Sequence, residues 1–166
     1  MKNKGFTLVE LVIVIAIVGV LAVLIISYIN PPAQLQRARD TQRKSDLAQI
    51  QRALEQYYND FGSYPLSKSD DGSYIIKDST GATHAWNTPW TPYINTLPID
   101  PTSTQKYVYV SNGATFYLYA HLERTDDKQY CNTDATTRCL NAPADTTCGG
   151  AGDVCNYGVS SQNVTP

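Results

Sequence analysis

Phe6-Thr7-Leu8-Val9-Glu10-Leu11-Val12-Ile13-Val14-Ile15-Ala16-Ile17-Val18-Gly19-Val20-Leu21-Ala22-Val23-Leu24-Ile25-Ile26-Ser27-Tyr28-Ile29 is a run of 24 residues with one charge, Glu10. As a helix it is about 36 Å long, at about 1.5 Å per residue. That exceeds the roughly 30 Å hydrocarbon core of a bilayer, so it spans one with some tilt. Lys2 and Lys4 stand before the run. The positive-inside bias keeps them cytoplasmic and sends the rest of the chain outside. A removable secretory signal is excluded, because the run is too long and no A-x-A-like site follows it.

Glu10 is the informative residue. A carboxylate in an apolar span costs roughly 2.5–3.5 kcal/mol on insertion scales and usually has a partner and a job. Two readings stand together. Thr7-Leu8-Val9-Glu10 matches a capping box, with Thr7 as N-cap and Glu10 satisfying backbone donors. Alternatively, Glu10 meets a cation supplied by another molecule. Ala16, Gly19 and Ala22 recur at spacings of three, which allows close approach of a neighbouring helix.

Beyond residue 30 the composition changes. The chain of 166 residues carries 13 basic and 15 acidic side chains and is 42% hydrophobic, but the aliphatic residues concentrate in the first thirty positions. This mild charge argues against a specific nucleic-acid partner, which would present many cations to phosphate. Asn30-Pro31-Pro32 predicts a helix break, with Pro31 and Pro32 removing donors. A second helical stretch follows. Leu47, Ile50, Leu54, Tyr57 and Phe61 are spaced 3, 4, 3 and 4, forming one apolar stripe. Gly62 and then Pro65 mark its end. Asp40 and Lys44 are expected as an i,i+4 pair on its outer surface, and Arg37, Arg39, Arg43 and Lys44 as a solvated face.

A loop of about thirty residues follows, with Ser73–Lys77 as a short strand and Trp86 and Trp90 pinning the loop to a core. The clearest sheet signal is a hairpin, with Lys106–Val110 and Thr115–Glu123 joined through Asn112-Gly113. Alternation predicts Val108, Val110, Phe116, Leu118, Ala120 and Leu122 facing the core, and Tyr107, Tyr109, Tyr117 and Tyr119 as a ladder on the other face. Cys131, Cys139, Cys148 and Cys155 lack zinc-knuckle spacing. Exported, they form two disulfides. Three connectivities are open, and local closure, Cys131 with Cys139 and Cys148 with Cys155, is the favoured one. No cofactor or metal is expected. Asp126, Asp127, Asp134, Asp145 and Asp153 raise calcium, but the D-x-D-x-D-G pattern is absent. Asn163-Val164-Thr165 fits the N-glycosylation pattern. His84 and His121 sit in no nucleophile or metal motif, so an enzyme is not expected.

Gly5-Phe6-Thr7-Leu8-Val9-Glu10-Leu11 and the apolar residues after it resemble the type III signal of type IV prepilins and pseudopilins. Asn59-Asp60-Phe61-Gly62-Ser63-Tyr64-Pro65 is also similar to the sequence that follows the long helix in that family. The resemblance covers residues 1 to about 65. It implies a leader, 1–5, cut by prepilin peptidase between Gly5 and Phe6, with Phe6 then N-methylated at its new amine. It implies a membrane and filament-core helix over 6–29, an amphipathic continuation over 30–62, and a β-rich head over 63–166. The expected fold is thus α+β and pilin-like, a long N-terminal helix packed on a small antiparallel sheet. The implied assembly contact joins Glu10 of one subunit to the Phe6 amine of a neighbour in a helical homo-oligomer. The implied partners are the peptidase, an assembly ATPase and a platform membrane protein. The subunit would sit in the inner membrane before assembly, head outward, and in an extracellular pilus afterwards. A pilus subunit fits the size and the cysteines best, with a pseudopilin of a secretion or DNA-uptake machine as the alternative, and a tethered binding domain that never polymerises as the reading from another class.

Overall fold

The structure is a computed structural model that describes residues 5–29, 31–68, 73–131, 136–150, 152–162 and 164–166, with the side chains of 26–29 left aside. Two compact units divide the chain, Met1–Gln36 and Arg37–Pro166.

The first unit is dominated by helix α1, Leu8–Ile29. Thr7 and Glu10 start it, and no basic residue closes its last turn. Every described side chain from Phe6 to Ile25 is exposed. Among its large apolar side chains Leu8 is 79% accessible and Val14, the least, 47%. A helix apolar on all sides and covered by nothing needs an apolar environment from outside the chain. Among the described residues, Leu8–Ile25 alone is long and apolar enough to cross a bilayer. Helix α2, Pro31–Phe61, opens one residue after α1 ends. Pro31 and Pro32 therefore stand in a first turn, where no intrahelical donor is lost. Asn30, the remaining residue of the expected break, lies outside the described residues.

Among the described residues, the second unit contains α2 from Arg37 onward and two three-stranded antiparallel sheets. One has strand order β1 (Leu66–Lys68), β2 (Ile75–Lys77) and β3 (Thr83–His84). The other has β4 (Val108–Ser111), β5 (Phe116–Ala120) and β6 (Tyr157–Ser160). The expected stripe is largely confirmed: Leu47, Ile50, Leu54 and Tyr57 are buried, whereas Phe61 is half exposed. Gly62 ends α2 in the left-handed region at φ 69°, its N–H donating to the Tyr58 carbonyl at 2.8 Å. Trp90 is fully buried, and Trp86 packs edge-on against Tyr107 at 5.8 Å between centroids.

The hairpin forms where the Asn-Gly cue places it, but its faces differ from expectation. Ser111 pairs with Phe116, Tyr109 with Leu118 and Val108 with Tyr119. The loop, Asn112–Thr115, has four residues. An even-length loop puts even-numbered positions of one strand opposite odd-numbered positions of the other, so the expected grouping of Val108 and Val110 with Phe116 and Leu118 is corrected. Tyr107 and Tyr109 face α2 together with Phe116, Leu118 and Ala120. Their rings fill the core while their hydroxyls reach polar partners, Tyr107 to Asp46 at 2.7 Å and Tyr109 to the Pro65 carbonyl at 2.6 Å. Val108 and Tyr119 instead belong to a second core with Tyr74, Cys139, Cys148 and Cys155. The expected tyrosine ladder is thus split between two cores.

Candidate functional site

At the start of α1, Thr7 and Glu10 form a reciprocal capping box. The Thr7 N–H and Oγ1 both donate to Glu10 Oε2 at 2.8 Å, and the Glu10 N–H donates to Thr7 Oγ1 at 3.2 Å. Gly5 and Phe6 precede the helix and are exposed, Phe6 to 76%. The pair Gly5-Phe6 therefore lies in accessible chain outside the helix, and Glu10 stands in the first turn of the helix in an otherwise uncharged surface. Lys2 and Lys4 lie outside the described residues.

In the head, the expected solvated basic face holds for Arg37, which is exposed, and is corrected for Arg43, with Arg39 and Lys44 half-buried in ion pairs. Arg43 is completely buried, and Asp40 is 2% exposed. Arg43 Nε and Nη2 grip Asp100 at 2.7 and 3.0 Å. Its Nη1 reaches Asp40 at 2.8 Å, and Nη2 also reaches Glu123 at 2.8 Å and Thr102 Oγ1 at 3.0 Å. Arg39 adds a two-pronged pair with Glu123. Asp40 in turn accepts the backbone N–H groups of Glu123 and Arg124 at 3.0 and 3.1 Å. Hydrogen bonds from Arg39, and then Arg43, outweigh burial and hold the Glu123 carboxyl down at about 2. Lys44, expected opposite Asp40, instead pairs with Asp127 at 2.6 Å and bonds Gln129 at 2.7 Å. These contacts bolt α2 to the segments that leave β5 and precede β4.

The signal for this hub was present in the sequence. Asp40 and Arg43 continue the apolar stripe backward, since 40, 43, 47, 50, 54 and 57 keep the same 3–4 spacing. Classifying them by charge hid their position.

The cysteines close locally, as favoured: Cys131 with Cys139 and Cys148 with Cys155, each pair with 5.0 Å between Cα atoms. The aspartates weighed for calcium do not converge. Asp126 pairs with Arg124, Asp127 with Lys44, Asp145 accepts from the Tyr74 hydroxyl, and Asp153 accepts the Gly150 N–H. Asp134 lies outside the described residues. His84 bonds Asp78 at 2.9 Å and His121 bonds the Val154 carbonyl at 2.8 Å, so both are structural ties. Among the described residues, no group of three or more His, Cys, Asp or Glu is arranged to hold a metal ion. Asn163 of the glycosylation pattern also lies outside the described residues.

The exposed apolar helix with one carboxylate falls, up to residue 26, inside a matched pattern, the prokaryotic N-terminal methylation motif, over residues 1–26. The model of type II secretion system protein G matches residues 32–142, about two thirds of the chain. The chain belongs to the type II secretion protein G family. Three relatives named type II secretion system core protein G illustrate the similarity. That of Dickeya chrysanthemi is 33% identical over 112 residues, 68% of this chain and 71% of the relative. That of Pseudomonas aeruginosa is 31% identical over 121 residues, 72% and 82% respectively. That of Escherichia coli is 34% identical over 112 residues, 68% and 74%. No solved structure matches the chain. Protein G is a pseudopilin, a pilin-like filament subunit with a structural role, so among the roles the resemblance left open these relatives carry the secretion one. The family match takes in α2 and all five strands from β1 to β5, and stops before the Cys148–Cys155 disulfide and β6.

Proposed function

We propose that this chain is a subunit of a type II secretion pseudopilus, held in the inner membrane by α1 until it is extracted into the filament. The observation that carries the proposal is α1 itself, 22 residues long, exposed on every side over its described side chains, and charged only at Glu10. The methylation motif supports cleavage between Gly5 and Phe6 and methylation of the Phe6 amine by a prepilin peptidase. In a filament, α1 exchanges lipid for the α1 helices of other copies. Glu10 then leaves its Thr7 donors and pairs with the Phe6 amine of a neighbour. Either charge unpaired in that apolar interior is costly, so pairing admits one axial stagger and rejects others. The head coats the outside, and the work of extraction comes from partners, an assembly ATPase and a platform membrane protein. The chain itself catalyses no reaction.

The test is Glu10→Ala in cells that carry the secretion machine. The variant subunit is expected in the membrane at normal level, with the mature N-terminus at Phe6 by mass spectrometry, while sheared filaments and secretion fall at least tenfold. Filaments at wild-type yield would refute the pairing role. A purified subunit that still begins at Met1, or lacks α1, would refute the family mechanism for this chain.

A further inference from the structure

Residues 143–166 lie beyond the stretch that the protein G model matches, yet they are built into the head. Tyr157–Ser160 of β6 pairs with β5 from Tyr117 to Ala120. Asn156, fully buried, accepts the Leu122 N–H at 2.7 Å and donates to the Leu122 carbonyl at 3.1 Å. The Cys139 N–H donates to the Cys155 carbonyl at 2.8 Å, and the Lys106 N–H to the Cys148 carbonyl at 2.8 Å. The Tyr74 hydroxyl donates to Asp145 at 2.6 Å. On the face of the sheet away from α2, Val108 and Tyr119 are completely buried in a cluster to which this segment adds Cys148 and Cys155 beside Tyr74, Cys139 and Ala142.

None of these links is covalent. Each disulfide closes a loop on itself, 8 and 7 residues apart, and neither crosses from 1–142 into 143–166. The Cys148–Cys155 loop holds Gly149, Gly150 and Gly152, residues that lose the most conformational freedom on ordering. Cys155 stands two positions before β6. Closing this loop therefore places the first residue of the strand, and the buried Asn156 between them, at the edge of β5. Without closure the glycine loop opposes that placement.

We propose that residues 143–166 form a clasp set by oxidation, in which the Cys148–Cys155 bond positions β6 on β5 and seals the outer face of the sheet, so that the head reaches its final fold only after a protein disulfide oxidant has acted on it. The step joins the two Sγ atoms and releases two protons and two electrons. The electrons reduce the oxidant's disulfide to a dithiol through thiol–disulfide exchange. A closed loop of this length shifts the clasp's equilibrium by on the order of 50-fold in the chain-entropy account. The inference does not depend on filament assembly.

Hydrogen exchange of the purified full-length chain in detergent tests it, with mass spectrometry before and after dithiothreitol and after reoxidation by glutathione disulfide. Verified reduction is expected to raise exchange at least tenfold in Asn156–Ser160 and at Leu122, while α2 from Leu47 to Tyr57 stays protected. Reoxidation is expected to restore the slow exchange. Unchanged exchange in β6 after reduction of both bonds would overturn the proposal, as would simultaneous loss of protection through α2. Cys131→Ser with Cys139→Ser separates the two bonds: that variant is expected to keep β6 protected until reduced, and early loss would also overturn the assignment to Cys148–Cys155. Reduction of the folded wild-type chain keeps the test independent of whether a Cys148→Ser, Cys155→Ser variant folds.

Discussion

Replacing Arg43 with methionine keeps much of the side-chain volume and removes the guanidinium that Asp40, Asp100 and Glu123 share. Asp40 and Asp100 are 2% and 5% exposed, so their charges lose their counterion without gaining water. Glu123 keeps Arg39. Breaking a buried pair by removing one partner costs about 3–5 kcal/mol, a large fraction of the roughly 5–15 kcal/mol that holds a domain together. For a head of this size the loss lowers the melting temperature by about 10–15 °C. Trp86 and Trp90 are the chain's tryptophans and both lie in the head, so their fluorescence follows head unfolding without a contribution from α1. The pH dependence separates the mechanism from simple repacking. In the wild type, Glu123 is held at about 2, against about 4.5 for a free glutamate. A depressed carboxyl contributes stability that is complete above its unfolded value and is lost as pH falls from about 4.5 towards 2, at most about 3 kcal/mol. In Arg43→Met, Glu123 loses one of the two guanidinium groups that hold its carboxyl down, so the variant has less of this contribution left to lose in acid. The difference between variant and wild type is therefore expected to narrow as pH falls from about 4.5 towards 2. A cost below about 1 kcal/mol at pH 7, or one that does not change with pH, would refute the account of Arg43 as the shared counterion.

Tyr107→Phe removes the 2.7 Å hydrogen bond to Asp46, whose carboxyl is already pushed up by burial. A bond to a charged group is worth about 1.5–3 kcal/mol, and that loss should appear in denaturant midpoints at pH 7 and fade once Asp46 is protonated. Gly158→Ala puts a Cβ 2.8 Å from the Tyr119 ring and 2.9 Å from the Pro166 Cβ. Overpacking of this kind costs about 1–3 kcal/mol, expected as a lower midpoint with an unchanged denaturant slope, and a neutral substitution would show that β6 does not sit against Tyr119 as described.

Features set by a residue and its near neighbours were legible in the sequence. The apolar run of α1 declares itself by composition, Thr7 and Glu10 by their three-residue spacing, the end of α2 by Gly62, and the hairpin by Asn112-Gly113. Local closure of the cysteines belongs with these, because short separations need only a turn. The faces of β4 and β5 were less legible. Both strands alternate, but Tyr, Val, Phe and Leu all suit a core, so polarity did not say which face was inside. Parity of the loop decides which residues of the two strands share a face, and it was available from the positions of Asn112 and Gly113 without any knowledge of partners. Arg43 was misplaced for a different reason. Its charge argued for solvent, and the groups that neutralise it, Asp100 and Glu123, are 57 and 80 residues away.

That separation also explains how the chain divides its labour. Nothing within α1 satisfies its own apolar surface, so the helix remains available to lipid or to other copies. α2 carries the same 3–4 periodicity, but Asp40 and Arg43 occupy its first core positions in the head. An apolar pair there would bind the head equally well and would also suit lipid or a neighbouring helix. The charged pair accepts only a partner that brings Asp100, Glu123 and the backbone donors of 123 and 124 together, which is the chain's own head. The polar hub thus confines promiscuous apolar contact to α1, the element that the proposed function moves from lipid to protein during assembly. On this argument, Arg43→Met with Asp40→Asn and Asp100→Asn, which keep the side-chain acceptors while removing the charges, would restore much of the head's stability while increasing aggregation of the subunit in detergent, and a stable variant that stays as monodisperse as the wild type would show that the hub serves stability alone.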